Sequence, residues 1–485
     1  MKYDVIVIGS GLGGLTCASH LSVLGYKVAV FEQHFLVGGY ATNFKRHGYE
    51  FDVSLHGIGG LQPGGNVYSI LQACHVLDKI KPIKNKLAYQ VEWKGKLIEI
   101  PNDLKKYQEL LIELFKEYEK EIMNLFKAIT RFENGFNRFI LQSHKGVLNK
   151  VHPDAALSMS WSMKTTDEVI RKYVNDDEFI RFFTTLWSYY GLPPKQLSAI
   201  YFFIPWVSYH HHGKFYIQGG GGKLSNAFVD VIHEHGGKVF LKSEVVEITL
   251  KHRQASGIKL KDGTQYEADI IVSNVNPITL STLLPTNHLK IKPQEIGCSL
   301  SQLYLVLDCH PSKLKIPEEE VFFLGGDTPE QDYEMTLNQQ FDTCGFLLTN
   351  YGSIDSNFEG ILTMTYLDNY ERWPSEKTQY KLKKEEVTQM MLARLEKMYP
   401  GITSHIVVKE LGTPKTMERY TKNPKGAVYG YAQTVKQSGR YRLKNQTNIS
   451  NLFMSSAWNN PGGGYEGVIS SGIMTARRIH LMNYK

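Results

Sequence analysis

The residues best spaced for chemistry in this chain are glycines. Gly9-Ser10-Gly11-Leu12-Gly13-Gly14 follows an apolar strand pattern at Tyr3–Ile8 and opens a helical pattern near Leu12–Val23. Gly9, Gly11 and Gly14 satisfy G-x-G-x-x-G. Gly9 permits a tight turn, Gly11 lets the backbone approach a pyrophosphate, and Gly14 lets helix and strand pack closely. The start of that helix, at Leu12 and Gly13, brings free N–H groups and the positive end of its dipole to the same phosphates. A second apolar strand, Lys27–Phe31, ends in Glu32, 18 residues after Gly14, close to the roughly 20 expected for an acid that holds a ribose hydroxyl. Together these features read as a dinucleotide site, and an acid at Glu32 favours FAD or NAD over a 2′-phosphorylated cofactor. A second glycine turn, Pro461-Gly462-Gly463-Gly464-Tyr465-Glu466-Gly467, precedes the last helical pattern. One cofactor held by both chain ends implies a nucleotide domain with another domain threaded through its middle.

Reactive side chains are scarcer. Glu466 follows the second turn and is placed either to donate a proton or to cap the next helix. Tyr465 beside it can line the same pocket or pack. His210-His211-His212 is expected on a strand, where adjacent side chains point to opposite faces. With no acid spaced to complete a site, no metal is expected. Cys17, Cys74, Cys298, Cys309 and Cys344 are scattered without a C-x-x-C, which argues against a disulfide framework or zinc cluster and fits a reducing compartment. Ser10 and the other lone serines lack a His/Asp pattern for nucleophilic catalysis.

The elements that must position these groups suit an α/β protein. The 485 residues, 42% of them hydrophobic, suffice for two domains. The net charge of +7 is spread along the chain rather than gathered into a basic stripe, so nucleic acid is not an expected partner. Val5–Ile8 is too short for a signal peptide, and no apolar run approaches the roughly 20 residues that span a bilayer. A cytoplasmic protein, at most touching a membrane surface, is expected. Leu87–Ile100 reads as a hairpin turning at Lys94-Gly95-Lys96. One long amphipathic helix, capped at Asn102 and Asp103, carries Tyr107, Leu111, Leu114, Tyr118, Ile122, Leu125 and Ile129 on one face. A helix is expected over Lys223–His235. The aromatic stretch Phe179–Tyr209 is either core or the wall of an apolar tunnel, and Phe203 and Trp206 are its candidate substrate-facing residues.

Gly38-Gly39 continues directly from Glu32-Gln33-His34, followed by Tyr40-Ala41-Thr42 and by Phe51-Asp52-Val53-Ser54-Leu55-His56. In these residues the chain resembles the flavoprotein amine-oxidase superfamily, and within it the group of phytoene desaturases, carotenoid cis–trans isomerases and retinol saturases. The likeness runs on through Ser243-Glu244-Val245-Val246, Ala268–Asn274, Pro424–Gly430 and Asn451–Gly472. It implies FAD, with Glu32, Gln33, Gly38, Gly39, Tyr40 and Ala41 along it, the Val245 backbone on its adenine, Asn274 in the same second nucleotide-binding segment, and Gly463, Gly464 and Val468 at its flavin end. It implies that Asp52 and His56 lie where the chain passes the flavin, with a structural or a catalytic role. It also implies a Rossmann-like FAD-binding domain of the glutathione-reductase type, assembled from residues 1–80, 210–290 and 425–485. An interleaved α+β substrate domain would take residues 81–209 and 291–424.

The activity implied is an FAD-dependent oxidoreductase or isomerase on carbon–carbon double bonds of a long apolar polyene or isoprenoid lipid. Desaturation, saturation and cis–trans isomerisation stay open, as does the redox partner. Alternatives are a fatty-acid double-bond isomerase or reductase, an amine oxidase, and a non-enzymatic prenyl-lipid escort on the same fold. Tyr40 stands where many amine oxidases carry Arg, which counts against the second. An escort would not need both glycine turns and Glu32, which counts against the third.

Overall fold

From Val5 to Ile8 the strand Lys2–Ile8 is buried on both faces, as an apolar run in a parallel sheet must be. It lies inside a seven-stranded sheet in a computed structural model that describes residues 2–145, 152–285, 288–289 and 291–483, without the side chains of 139–145 and 483. Its neighbours are Val28–Phe31 on one side and Gln265–Ser273 on the other, both parallel to it. Lys238–Phe240 extends one edge, the meander Val245–Lys251/Gln254–Leu260 extends the other, and Leu452–Met454 adds in parallel to Gln265–Ser273. The helices Leu12–Val23, Gly220–Glu234 and Tyr465–Asn483 cover one face through Leu15, Leu21, Leu224, Phe228, Ile469 and Ile473. Tyr3, Ile6 and Ile8 pack the other face against Ile248, Ile258 and Leu280. The sheet therefore gathers strands from the start, middle and end of the chain.

A second seven-stranded sheet runs in the order Ile406–Gly412, Ser299–Leu307, Ile361–Asp368, Phe346–Asn350, Glu319–Phe323, Leu87–Trp93, Lys96–Pro101, and all its pairs are antiparallel but one. Strand alternation divides its labour. Leu303, Leu305 and Leu307 pack with Met391 and Leu395 of the helix Lys377–Met398, while Leu300 and Gln302 point to the opposite side, into a cavity.

The helices between the sheets depart from the sequence expectation in three places. The long helix is two, Leu104–Leu114 and Glu119–Lys145. Phe115 leaves the helical conformation (φ −132) and sits buried with ring centroids 5.3 Å from Phe179 and 5.9 Å from Phe182. The helix expected from Lys223 starts at Gly220. Its first turn fits tightly because it has no side chains: a Cβ on Gly221 would lie 2.5 Å from the Tyr465 hydroxyl. The Gly221 and Gly222 amides donate to Asp52 and Asn43. His210–His212 lies not on a strand but at the end of the helix Ala199–His212.

Lys214 and Glu320 tie two remote segments together. Both side chains are 0% exposed, and the ammonium donates to the carboxylate. Lys214 leads into the strand Phe215–Ile217, and Glu320 belongs to the second sheet. The other Glu320 oxygen accepts the Tyr189 hydroxyl at 2.9 Å. Removing one member of such a buried pair strands the other charge at a cost of about 3–5 kcal/mol, whereas replacing both with apolar residues is far milder. Urea unfolding of Lys214→Met should show a loss of that order, with most of it recovered in the Lys214→Met/Glu320→Leu double variant.

Candidate active site

The first glycine turn is built around two polar side chains. Gly9 adopts φ +92, a conformation that suits glycine. Its amide donates to the Phe31 carbonyl at 2.8 Å, closing the turn over the end of the neighbouring strand. Asn274, just past the strand Gln265–Ser273, accepts the Gly11 amide at 3.0 Å and donates to the Ser455 carbonyl at 2.5 Å. Gly11 has no side chain to cap the helix Leu12–Val23, so the helix's first amides stand uncapped beside the cavity. Glu32 is pinned by three donors: the Ser10 amide and hydroxyl at 2.8 and 2.7 Å on one oxygen, and the His34 amide at 2.9 Å on the other.

These groups open onto one cavity of about 1270 Å³, larger than the 300–1,000 Å³ usual for a single small ligand. Gly9, Gly11, Leu12, Gly13, Glu32 and Gln33 line one end with Val245 and Asn274. Gly38, Gly39, Tyr40 and Ala41 form the next stretch of wall, facing Gly463, Gly464, Tyr465, Glu466 and Val468. Of the residues that the sequence proposes for the cofactor, Gly14 does not line it. A Cβ there would lie 2.6 Å from the Gly9 carbonyl oxygen, so its place is the helix–strand contact. Tyr40 hydrogen-bonds the Gly426 and Ala427 carbonyls, at 3.3 and 3.2 Å.

Glu466 sits where the glycine turn meets the rest of the cavity. It accepts the Gly59 amide at 2.9 Å and the Ser208 hydroxyl at 3.0 Å, so it braces other segments rather than capping its own helix. Burial outweighs those two donors and pushes its carboxyl up to about 7. Burial also raises the Tyr465 hydroxyl well above its ordinary value, so it keeps its proton at neutral pH. Its oxygen lies 3.2 Å from Ser54 Oγ. Asp52 does not line the cavity. Its carboxylate receives Ser54, Leu55 and Gly221 amides and the Tyr216 hydroxyl, which makes it an organiser of the turn. His56 does line it, held between Thr349, Tyr351 and Glu320, and burial with Lys214 nearby lowers its imidazole to about 3.

Phe203 and Trp206 are not on the cavity. Both are fully buried in an aromatic cluster with Phe132, Trp161 and Phe183. Their helix presents Tyr201, Ile204, Pro205 and Tyr209 to the cavity instead. Helical spacing carries that signal: 201, 205 and 209 share a face that 203, 206 and 210 do not. Tyr189 and Tyr190, from the aromatic stretch that the sequence offered as a tunnel wall, do line the cavity, and Tyr429 from a remote segment completes a tyrosine-rich wall with them. Beyond them the lining turns to Leu300, Leu347 and Leu367 of the second sheet, and elsewhere to Phe136, Met159 and Met163.

Residues 12–480 match the family described as flavin containing amine oxidoreductase. The chain belongs to this family. Curated relatives include a chloroplastic prolycopene isomerase from an Oncidium hybrid cultivar, 27% identical over 99% of this chain and 84% of its own length. A 4,4'-diapophytoene desaturase from Methylomonas is 22% identical over 99% and 96%, and an all-trans-retinol 13,14-reductase from Danio rerio 24% over 93% and 82%. Among solved structures, putrescine oxidase shares the fold with a TM-score of 0.64, 14% identity and 99% of each chain. A family flavin suits the site here. Gly464 lines the cavity, and a Cβ on it would meet no protein atom within 4 Å, so bare backbone faces open space as a ring system requires.

Gly13 tests how closely the turn must fit. A Cβ there would lie 2.6 Å from the Ser455 carbonyl oxygen, which is backbone and cannot swing away. Overpacking of this kind costs roughly 1–3 kcal/mol. Gly13→Ala should purify with about tenfold less flavin per protein, read from the visible absorbance.

Proposed function

We propose that the chain is an FAD-dependent enzyme acting on the carbon–carbon double bonds of a long apolar polyene or isoprenoid lipid. The nucleotide-binding half would be assembled from residues 1–80, 210–290 and 425–485. Glu32 would hold the ribose, the amides at Gly11–Gly13 the pyrophosphate, Val245 the adenine, and Gly38–Ala41 with Gly463–Val468 the flavin end. The observation that carries the reading is the single cavity that starts at the glycine turns and runs on between tyrosine and leucine walls. Beyond the glycine turns its lining includes Ile204, Leu300, Leu347 and Leu367, an apolar stretch suited to a hydrocarbon chain. The names of the curated relatives, an isomerase, a desaturase and a reductase of polyenes, support the same substrate class.

A bound flavin supplies hydride exchange with the polyene; the protein's own residues must handle the proton and exclude water. Among the described residues, Glu466 is the only carboxyl lining the cavity beyond the nucleotide end, where Glu32 and Glu244 lie. With its carboxyl near 7 it holds a proton that it can release to carbon, or takes one back as the carboxylate. The Gly59 amide and Ser208 hydroxyl aim that carboxyl, and Tyr189, Tyr190, Tyr201 and Tyr209 keep its surroundings dry. Met159 and Met163, 50% and 53% exposed and also on the cavity lining, mark the lipid's entry and a surface that would meet a membrane. Among the described residues no helix is long and apolar enough to cross one.

Anaerobic incubation with phytoene, lycopene isomers and retinol, with the flavin oxidised or pre-reduced, separates the directions by product mass. A loss of two hydrogens means desaturation, a gain means saturation, and unchanged mass with altered retention means isomerisation. Peroxide released from amines, with every polyene left untouched, would sink the reading.

The proton step has its own test. A carboxyl raised from its ordinary 4.5 to about 7 stays protonated up to that pH, so a step that needs the acid weakens as pH rises through about 7. Glu466→Gln should remove that limb from the pH profile and slow turnover by about 10²–10⁴ while flavin stays bound.

A further inference from the structure

At the far end of the helix that walls the cavity, Glu133 reaches two histidines at once. His211 Nδ1 lies 2.8 Å from one Glu133 oxygen and His212 Nε2 lies 2.9 Å from the other. The imidazoles stack with centroids 4.6 Å apart and planes at 17°. One ligand atom from each of the three residues falls within 4.8 Å of the others. Adjacent histidines would diverge on a strand. Here they end a helix, offer different ring nitrogens, and so converge on one carboxylate. The geometry points to a site for a single divalent transition-metal ion held by Glu133, His211 and His212, and we propose that the protein binds one there.

Charge and chemistry agree with this. Two imidazole nitrogens and a carboxylate oxygen are a zinc-type donor set, which leaves a fourth position for water. Metal–ligand bonds of about 2.0–2.2 Å in a tetrahedral arrangement separate neighbouring donors by about 3.4 Å, so nitrogen and oxygen must part by about half an ångström. His211 and His212 are partly exposed and free to turn by that much. A bound M²⁺ would offset the Glu133 carboxylate at a helix C-terminus whose dipole favours a cation.

The site would act on the cavity from outside. Glu133 lies one turn before Phe136, which lines the cavity, and His212 lies one turn after Ser208, which holds Glu466. A bound ion would clamp the two helices that carry those residues. The inference does not depend on the substrate or on the reaction.

The test uses tag-free, chelator-treated protein with its flavin retained, titrated calorimetrically with Zn²⁺ and followed with Co²⁺ by the tetrahedral absorption at wavelengths longer than the flavin bands. One equivalent is expected. Loss of even an outer partner of a metal ligand weakens affinity about 10–100-fold, so Glu133→Gln and His212→Gln should each weaken it at least tenfold. The affinity should also fall as pH drops, because protons compete with the ion for the same nitrogens. Unchanged circular dichroism and flavin content in the variants would exclude a folding artefact, and if His212→Gln alone fails to fold, His211→Gln reports on the same site. No stoichiometric binding, or stoichiometric binding that these substitutions leave unaltered, would overturn the proposal.

Discussion

The Asn274 side chain is the joint on which the architecture depends. Its carbonyl takes the Gly11 amide and its NH₂ gives to the Ser455 carbonyl, so one side chain fixes residues 11, 274 and 455 to one another. That contact explains the glycines more fully than a phosphate does. A Cβ on Gly11 would lie 2.5 Å from the Asn274 oxygen, and one on Gly13 would lie 2.6 Å from the Ser455 carbonyl that Asn274 engages. The Ser455 hydroxyl answers by donating to the Gly13 carbonyl at 2.7 Å. Remote segments meet closely because each has given up side-chain volume at the crossing, and the hydrogen bonds satisfy backbone groups that would otherwise be buried without partners.

Much of this end was legible in the sequence, because its signals are local. A strand, a glycine turn, a helix and an acid follow one another within Tyr3–Glu32, and each imposes a backbone requirement that only certain residues meet. The second turn at Gly462–Gly464 was legible for the same reason. What could not be read were side-chain meetings between remote segments that no motif links. Glu133 lies 78 residues from His211, and Lys214 lies 106 from Glu320. Nothing in either neighbourhood marks the partner. The break at Phe115 was hidden too, since the apolar period runs straight through it, and the slot it fills is made by Phe179 and Phe182.

The aromatic stretch shows where composition misleads. Phe203 and Trp206 are among the bulkiest apolar residues on their helix, and for that reason they are in the core, where each removes a large area from water. The cavity takes the amphipathic residues of the same helix, Tyr201 and Tyr209, whose hydroxyls anchor to the Gly463 and Gly57 carbonyls at 3.0 Å each. A wall must keep its shape with no packing on one side, and a phenol bound at its tip does this better than a free ring. The same economy runs through Tyr189, held by Glu320, so the buried Lys214–Glu320 pair ends up orienting a ring on the cavity.

The interleaving of the first sheet has a consequence for the order of events during synthesis. Lys2–Ile8 pairs in parallel with Val28–Phe31 at once, but its other neighbour, Gln265–Ser273, emerges more than 250 residues later, and Leu452–Met454 later still. The nascent chain therefore carries an apolar strand with an open edge through most of its elongation, and such long-range parallel pairing closes slowly. Ser455 joins Asn274 only when the last few dozen residues are available. A ribosome paused shortly before that point would hold a cavity whose first wall is made and whose last wall does not yet exist.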